Sequence, residues 1–131
     1  MRRHLCLALL ALGAPALSAQ TPRATPCDSA ESMVDMENCS DAALHAADSL
    51  LNIYYQAARR AATAPSSLRR AESAWITFRD VTCNAEADEY RGGTMASLVP
   101  SVCRVRLTKQ RTHDLWAVYL QDDNLLPEPS P

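Results

Sequence analysis

The chain has 131 residues, with 13 basic and 15 acidic side chains and a net charge of −2. That length suits one domain and not two. The charge pattern offers no basic stripe with interleaved aromatics, so no nucleic-acid partner is indicated.

Met1-Arg2-Arg3-His4 is a short basic start, and Leu5 to Leu17 is an apolar run with Gly13 and Pro15 near its end. Leu17-Ser18-Ala19 before Gln20 fits a cleavage site, with Ala14-Pro15-Ala16 as the alternative. Residues 1–19 therefore read as a secretory signal peptide. The run is shorter than the roughly 20 apolar residues of a membrane span, and no later stretch qualifies. Without Arg2 and Arg3, 11 basic residues face 15 acidic ones, a net charge of −4. The exported part holds Cys27, Cys39, Cys83 and Cys103. An even count in an exported chain argues for two disulfides and an oxidising compartment, periplasmic or extracellular. The absence of C-x-x-C gives no indication of a thiol oxidoreductase or a zinc ribbon.

Gln20 to Pro26 is polar and proline-bearing, an extended lead-in. A short helix is predicted over Ser29 to Glu37, with Asp28 as N-cap and Glu31 three residues on. Ser40 or Asp41 then caps a second helix, whose face is Leu44, Ala47, Leu51, Tyr55, Ala58 and Ala62. Thr63-Ala64-Pro65 breaks it. A third helix follows from Ser66 or Ser67 to about Tyr90. Its apolar stripe is Leu68, Ala71, Trp75, Phe78, Thr82 and Ala85, leaving Arg69, Arg70, Glu72 and Ser73 mostly off that face. Arg91-Gly92-Gly93-Thr94 is a turn. An irregular run at 95–99, with Thr94 as a cap, precedes a final helix from about Pro100 to Tyr119. Leu107, Leu115 and Val118 are its core positions, with Trp116 beside them. Residues 122–131, ending Pro-Glu-Pro-Ser-Pro, are expected as a disordered tail. No strand alternation appears. The expected fold is all-α: a disulfide-stapled domain over residues 20–121, built on an antiparallel helix hairpin plus a C-terminal helix.

Geometry sharpens this. A short break near Ala64 makes its flanking helices antiparallel, so facing residue numbers sum to roughly 128. Asp48 then faces Asp80 and lies one position from Arg79, which proposes an Asp48–Arg79 bridge beside Trp75. Cys83 faces His45, and Cys39 lies six residues further on, roughly 9 Å along the axis at about 1.5 Å per residue. A disulfide needs Cα atoms about 4.4–6.8 Å apart. Cys39–Cys83 is therefore disfavoured, and Cys27–Cys39 with Cys83–Cys103 is the expected pairing.

The chain resembles the secreted LprI-like lysozyme-inhibitor family. After Cys27 and Cys39 comes Asp48-Ser-Leu-Leu51-Asn52-Ile-Tyr-Tyr55, similar to the family's D-x-x-L-N-x-x-Y. Leu68-Arg-Arg-Ala-Glu72-Ser-Ala-Trp75-Ile-Thr-Phe78-Arg79-Asp80-Val-Thr-Cys83 resembles its L-R-x-A-Q-x-A-W-x-x-F-R-D-x-x-C. Gly92-Gly93-Thr94 resembles its glycine turn, and Cys103, Leu107-Thr108, Arg111 and Leu115 its C-x-x-x-L-T-x-x-R-x-x-x-L ending. The resemblance spans about residues 27–119. Glu72 departs from it, standing where the family usually has glutamine, and Pro100 falls where the family more often runs helical or aromatic. The resemblance implies a disulfide-bonded helical domain of the bacterial envelope.

Little in the sequence points to catalysis. His45 and His113 have no H-x-x-x-H or H-E-x-x-H partner, and no nucleophile elbow, phosphate loop or cofactor fingerprint is present. Asp48 and Asp80 face each other as a conceivable carboxylate pair, but adjacent Arg79 favours an ion pair. Glu86, Asp88 and Glu89 lack calcium-loop spacing and read as a solvated face. The expectation is a non-enzyme without metal or cofactor. Residues 20–48 hold Asp28, Glu31, Asp35, Glu37, Asp41 and Asp48 against Arg23 alone. Two partner classes remain: a lysozyme-type muramidase bound through Tyr90, Arg91, Thr94 and Met95 or through this acidic N-terminal portion, and another envelope protein or the cell wall.

Overall fold

The computed structural model describes residues 27, 29–122 and 126–130. The expected signal peptide, the lead-in and Asp28 lie outside them. Three helices follow in order: α1 (Met33–Ala61), α2 (Pro65–Glu89) and α3 (Val99–Tyr119). Among the described residues there is no strand, and no helix is long and apolar enough to cross a membrane. The fold is all-α.

α1 corrects the expectation of two N-terminal helices. The stretch Glu37 to Asp41 contains neither glycine nor proline, so nothing interrupts the backbone ladder there. The helix starts at Ser32, whose hydroxyl accepts from the Asp35 amide while Asp35 accepts in return from the Ser32 amide. This capping box satisfies two of the amides that a helix start leaves open. Ser40, expected as a cap, is buried in mid-helix, and Asp41 accepts from Ser101 on α3 at 2.8 Å. At the far end Ala62–Ala64 turns the chain, and Pro65 takes the first position of α2, where no amide hydrogen is required.

Cross-helix contacts fix the bundle. Asp48 meets Arg79, so α1 and α2 run antiparallel. Cys83 meets Cys103 and Glu72 meets Arg111, so α2 and α3 are antiparallel as well. α1 and α3 therefore run in parallel. α3 is the shared partner: α1 and α2 each pack on it more extensively than on one another. The core joins all three helices through Leu51, Ala58, Leu68 and Leu115, flanked by Tyr55, Trp75 and Tyr119. A second cluster of Tyr54, Ala57 and Leu120 lies at the C-terminal end of α3, with Trp116 and Leu126 against it. Both expected disulfides form, Cys27–Cys39 and Cys83–Cys103, each with Cα atoms 5.5 Å apart.

Packing on α3 rotates the buried face of α2. Leu68 is buried as expected and Trp75 is half-buried, but Ala71 and Ala85 are exposed and Phe78 is 56% exposed. Glu72 and Cys83 are buried instead, and the Arg79 side chain retains only 12% of its exposure. On α3, Leu115 is fully buried, whereas Val118 is 70% exposed, because Thr108, Thr112 and Leu115 form the inward stripe. α3 has Leu98 as its N-cap, without a side-chain cap, and Thr94 stays in the preceding turn.

The C-terminal residues give another difference. The described segment 126–130, expected as part of a disordered tail, folds back onto α1 and α3. Tyr54 donates to the Pro127 carbonyl at 2.6 Å, and the Trp116 indole donates to the Leu126 carbonyl at 3.2 Å. Low hydrophobicity predicts disorder only where nothing offers partners, and here aromatic side chains supply them.

A candidate binding loop on a charged three-helix seam

The loop between α2 and α3 is built from short local bonds. α2 ends at Tyr90, whose amide donates to Ala87 O at 3.1 Å, and the Arg91 amide donates to Asp88 O at 3.2 Å. The chain then reverses at Gly92, whose φ of +82° is costly for a residue with a Cβ. Gly93 follows because its amide donates to Tyr90 O at 2.9 Å, an approach so close that an added Cβ would lie 3.2 Å from that oxygen. Ala96 to Gly93 and Leu98 to Met95 close the remaining turns. Buried Leu98 and the Cys83–Cys103 disulfide hold the base.

This leaves Tyr90, Arg91, Thr94 and Met95 exposed on one short, internally bonded loop. The Arg91 side chain is 78% exposed and pairs sideways with Asp88. Exposed pairs of this kind contribute little, so the guanidinium is available to another anion. Beneath the loop lies a recess of about 190 Å³ lined by Glu86, Tyr90, Met95, Leu98 and Arg106. The loop thus offers a cation flanked by an aromatic and a thioether side chain.

The remaining motif residues lie on the seam below. Arg79 reaches from α2 to Asp48 on α1 at 2.8 Å and to Thr108 on α3 at 3.0 Å, and also to its neighbour Asp80 at 3.3 Å. Its guanidinium lies 5.3 Å from the Trp75 ring centroid, and Arg111 lies 6.0 Å from the same ring. Arg111 bonds Glu72 at 2.9 Å, and Arg104 pairs with Asp80 at 3.5 Å. Arg104, Arg106 and Arg111 of α3 therefore meet Asp80, Glu86 and Glu72 of α2. Asp48 and Asp80 share one arginine and are an ion-pair arrangement. Asp48, Asn52, Tyr55, Trp75, Ile76 and Arg79 also line an open groove of about 310 Å³ between α1 and α2. Phe78 lies outside this set, on the solvent side of α2.

Glu72, Thr108 and Arg111 were not singled out as a polar set in the sequence. Part of the signal was available: if the Gly92–Gly93 turn makes an antiparallel hairpin, facing numbers sum to roughly 186. That rule puts Arg79 opposite Leu107, next to Thr108, but it puts Glu72 opposite Asp114, so the Glu72–Arg111 pair is not read from it. Among the described residues no cluster of three or more His, Cys, Asp or Glu could hold a metal ion. His45 is exposed on α1, and His113 stands beside Trp116 and Glu128.

Fold, disulfides and seam together define a small, cross-linked helical domain of three helices with one presented loop. The chain belongs to the lysozyme inhibitor LprI family, whose model matches residues 25–115. It is also similar to an uncharacterized protein of Rhizobium meliloti (strain 1021), with 37% identity over 122 residues covering 82% of this chain and 86% of that protein. No solved structure matches. The family is one of inhibitors rather than catalysts.

Proposed function

We propose that this protein is an exported inhibitor that binds a lysozyme-type muramidase without covalent chemistry and blocks its cleft with the Tyr90–Leu98 loop. The observation that carries the reading is the loop itself: an exposed arginine between Tyr90 and Met95 on a base held by a disulfide. Glycoside hydrolases cleave between two carboxyl groups. A guanidinium entering such a cleft gains charge-assisted bonds, while Tyr90 and Met95 supply apolar contact around it. Little ordering cost is incurred, because the loop already bonds to itself. The net negative charge of the exported chain steers encounter with a cationic enzyme. The two disulfides suit an oxidising compartment outside the cytoplasm.

The test is lysozyme turnover on cell-wall substrate with the oxidised protein titrated in, across several lysozyme classes. Stoichiometric inhibition of one class is expected, with Arg91→Ala weakening it by at least about tenfold, or roughly 1.4 kcal/mol. Inhibition that Arg91→Ala leaves unchanged would remove the loop from the mechanism. No inhibition of any class by the folded protein would overturn the reading and favour another envelope protein or the cell wall as partner.

A further inference from the structure

The C-terminal segment is bound the way a ligand is bound. Each proline fixes its own φ near −65° and keeps the preceding residue out of the helical region. In Leu126-Pro127-Glu128-Pro129 every residue is restricted one way or the other, so the segment is extended before it touches anything. Such a segment makes no internal backbone bonds, so its carbonyls need outside donors. α1 and α3 supply them. The Trp116 indole donates to the Leu126 carbonyl at 3.2 Å and the Tyr54 phenol to the Pro127 carbonyl at 2.6 Å. His113 Nε2 lies 3.3 Å from Glu128 Oε1, and its ring is tilted against Trp116 at 5.7 Å between centroids. Leu126 packs on the Tyr54–Ala57–Leu120 cluster, and Pro129 is buried. Burial raises the Tyr54 phenol above its ordinary value, which keeps it a donor throughout the neutral range.

Aromatic side chains that donate to the carbonyls of an extended proline segment are the physical basis of proline-rich peptide recognition. We propose that the Tyr54–His113–Trp116 groove is a binding site for extended peptides of the Leu-Pro-acid-Pro type, closed in the resting protein by its own residues 126–130. A partner segment of that chemistry binds by displacing this strap. His113 selects the acidic residue between the prolines, Leu120 and Ala57 take the leucine, and the two hydrogen bonds set the register. The site is separate from the loop assigned to muramidase binding, since Leu98 and Trp116 are 18 positions apart, roughly 27 Å along α3. Trp116, Leu120 and the strap also fall outside the segment matched by the family, residues 25–115.

The test uses the full chain. Pro127→Ala/Pro129→Ala loosens the strap while leaving the groove intact. A synthetic peptide of residues 121–131 is titrated into this variant and into the unaltered protein, and the Trp116 indole proton is followed by NMR. The variant is expected to bind the peptide saturably and at least about tenfold more tightly than the unaltered protein. The same peptide with both prolines replaced by alanine is expected to bind at least about tenfold more weakly. Adding Tyr54→Phe to the variant should weaken binding with the fold retained. No response of Trp116 in the loosened variant, or an equal response in the unaltered protein, would overturn the proposal. Lysozyme inhibition plays no part in this readout, so either proposal can fail alone.

Discussion

Arg79 is the side chain on which the three helices converge, and its removal tests the packing directly. Arg79→Ala deletes the bond to Asp48 at 2.8 Å, the bond to Thr108 at 3.0 Å and the contact with the Trp75 ring. Hydrogen bonds to a charged group contribute about 1.5–3 kcal/mol each, and a partly desolvated cation–π contact adds roughly 0.5–2 kcal/mol. Asp48 is 45% exposed, so its share belongs near the bottom of that range. Taken at the low end of each range, the expected loss is therefore about 3–4 kcal/mol. At roughly 4–8 °C per kcal/mol for a domain of this size, the melting temperature should fall by roughly 12–32 °C. Asp48→Ala should cost only about 1–2 kcal/mol, since water reaches that carboxylate. The double variant should be less than additive by about 1 kcal/mol. Urea denaturation of the four proteins provides the cycle. Strict additivity would refute the pair. A loss below about 1 kcal/mol for Arg79→Ala would refute its role as the joint of the bundle.

Other outcomes follow from the same geometry. Peptide mapping without reductant should recover Cys27–Cys39 and Cys83–Cys103, and a crosslinked Cys39–Cys83 peptide would overturn the helix register. Replacing Cys83 and Cys103 by serine should cost on the order of 3 kcal/mol, measured by urea denaturation. Gly92→Ala should cost about 1–2 kcal/mol through its positive φ alone, because a Cβ there meets nothing within 4 Å. Gly92→Asn should recover part of that loss, and equal stability of all three proteins would contradict the turn. Tyr54 predicts an alkaline effect. Its folded phenol titrates above the ordinary 10.0, so above about pH 10 the unfolded chain binds fewer protons than the folded one and stability falls as pH rises. Stability curves measured from pH 8 to pH 11 should show this decline in the parent protein and a shallower one in Tyr54→Phe.

Much of this architecture was legible along the chain. Thr63-Ala64-Pro65 and Arg91-Gly92-Gly93-Thr94 carry their own chain reversals, because proline and glycine act through local backbone sterics. Once those two breaks are placed, helix register follows by counting; it brings Asp48 to Arg79 and disfavours Cys39–Cys83, and the expected pairing of Cys27–Cys39 with Cys83–Cys103 is the one that forms. Helix count at the N-terminus was less legible. The polar residues around Ser40 resemble a cap, but a cap matters only where the ladder ends, and no breaker ends it there.

The sequence by itself determined an all-α chain and its two reversals, and it disfavoured Cys39–Cys83, since each depends on local geometry or on distance along a helix. The tertiary structure decided which faces are buried and whether the C-terminal segment is held. Phe78 is exposed and Glu72 buried because α3 brings Arg111 to 2.9 Å from that carboxylate. A charge leaves water only where an opposite charge meets it, and Arg111 lies 39 positions away in the chain. Residues 126–130 are likewise held by donors on Tyr54 and Trp116, from two different helices. Interactions of this kind arise when distant side chains converge, and no local pattern in either segment encodes them.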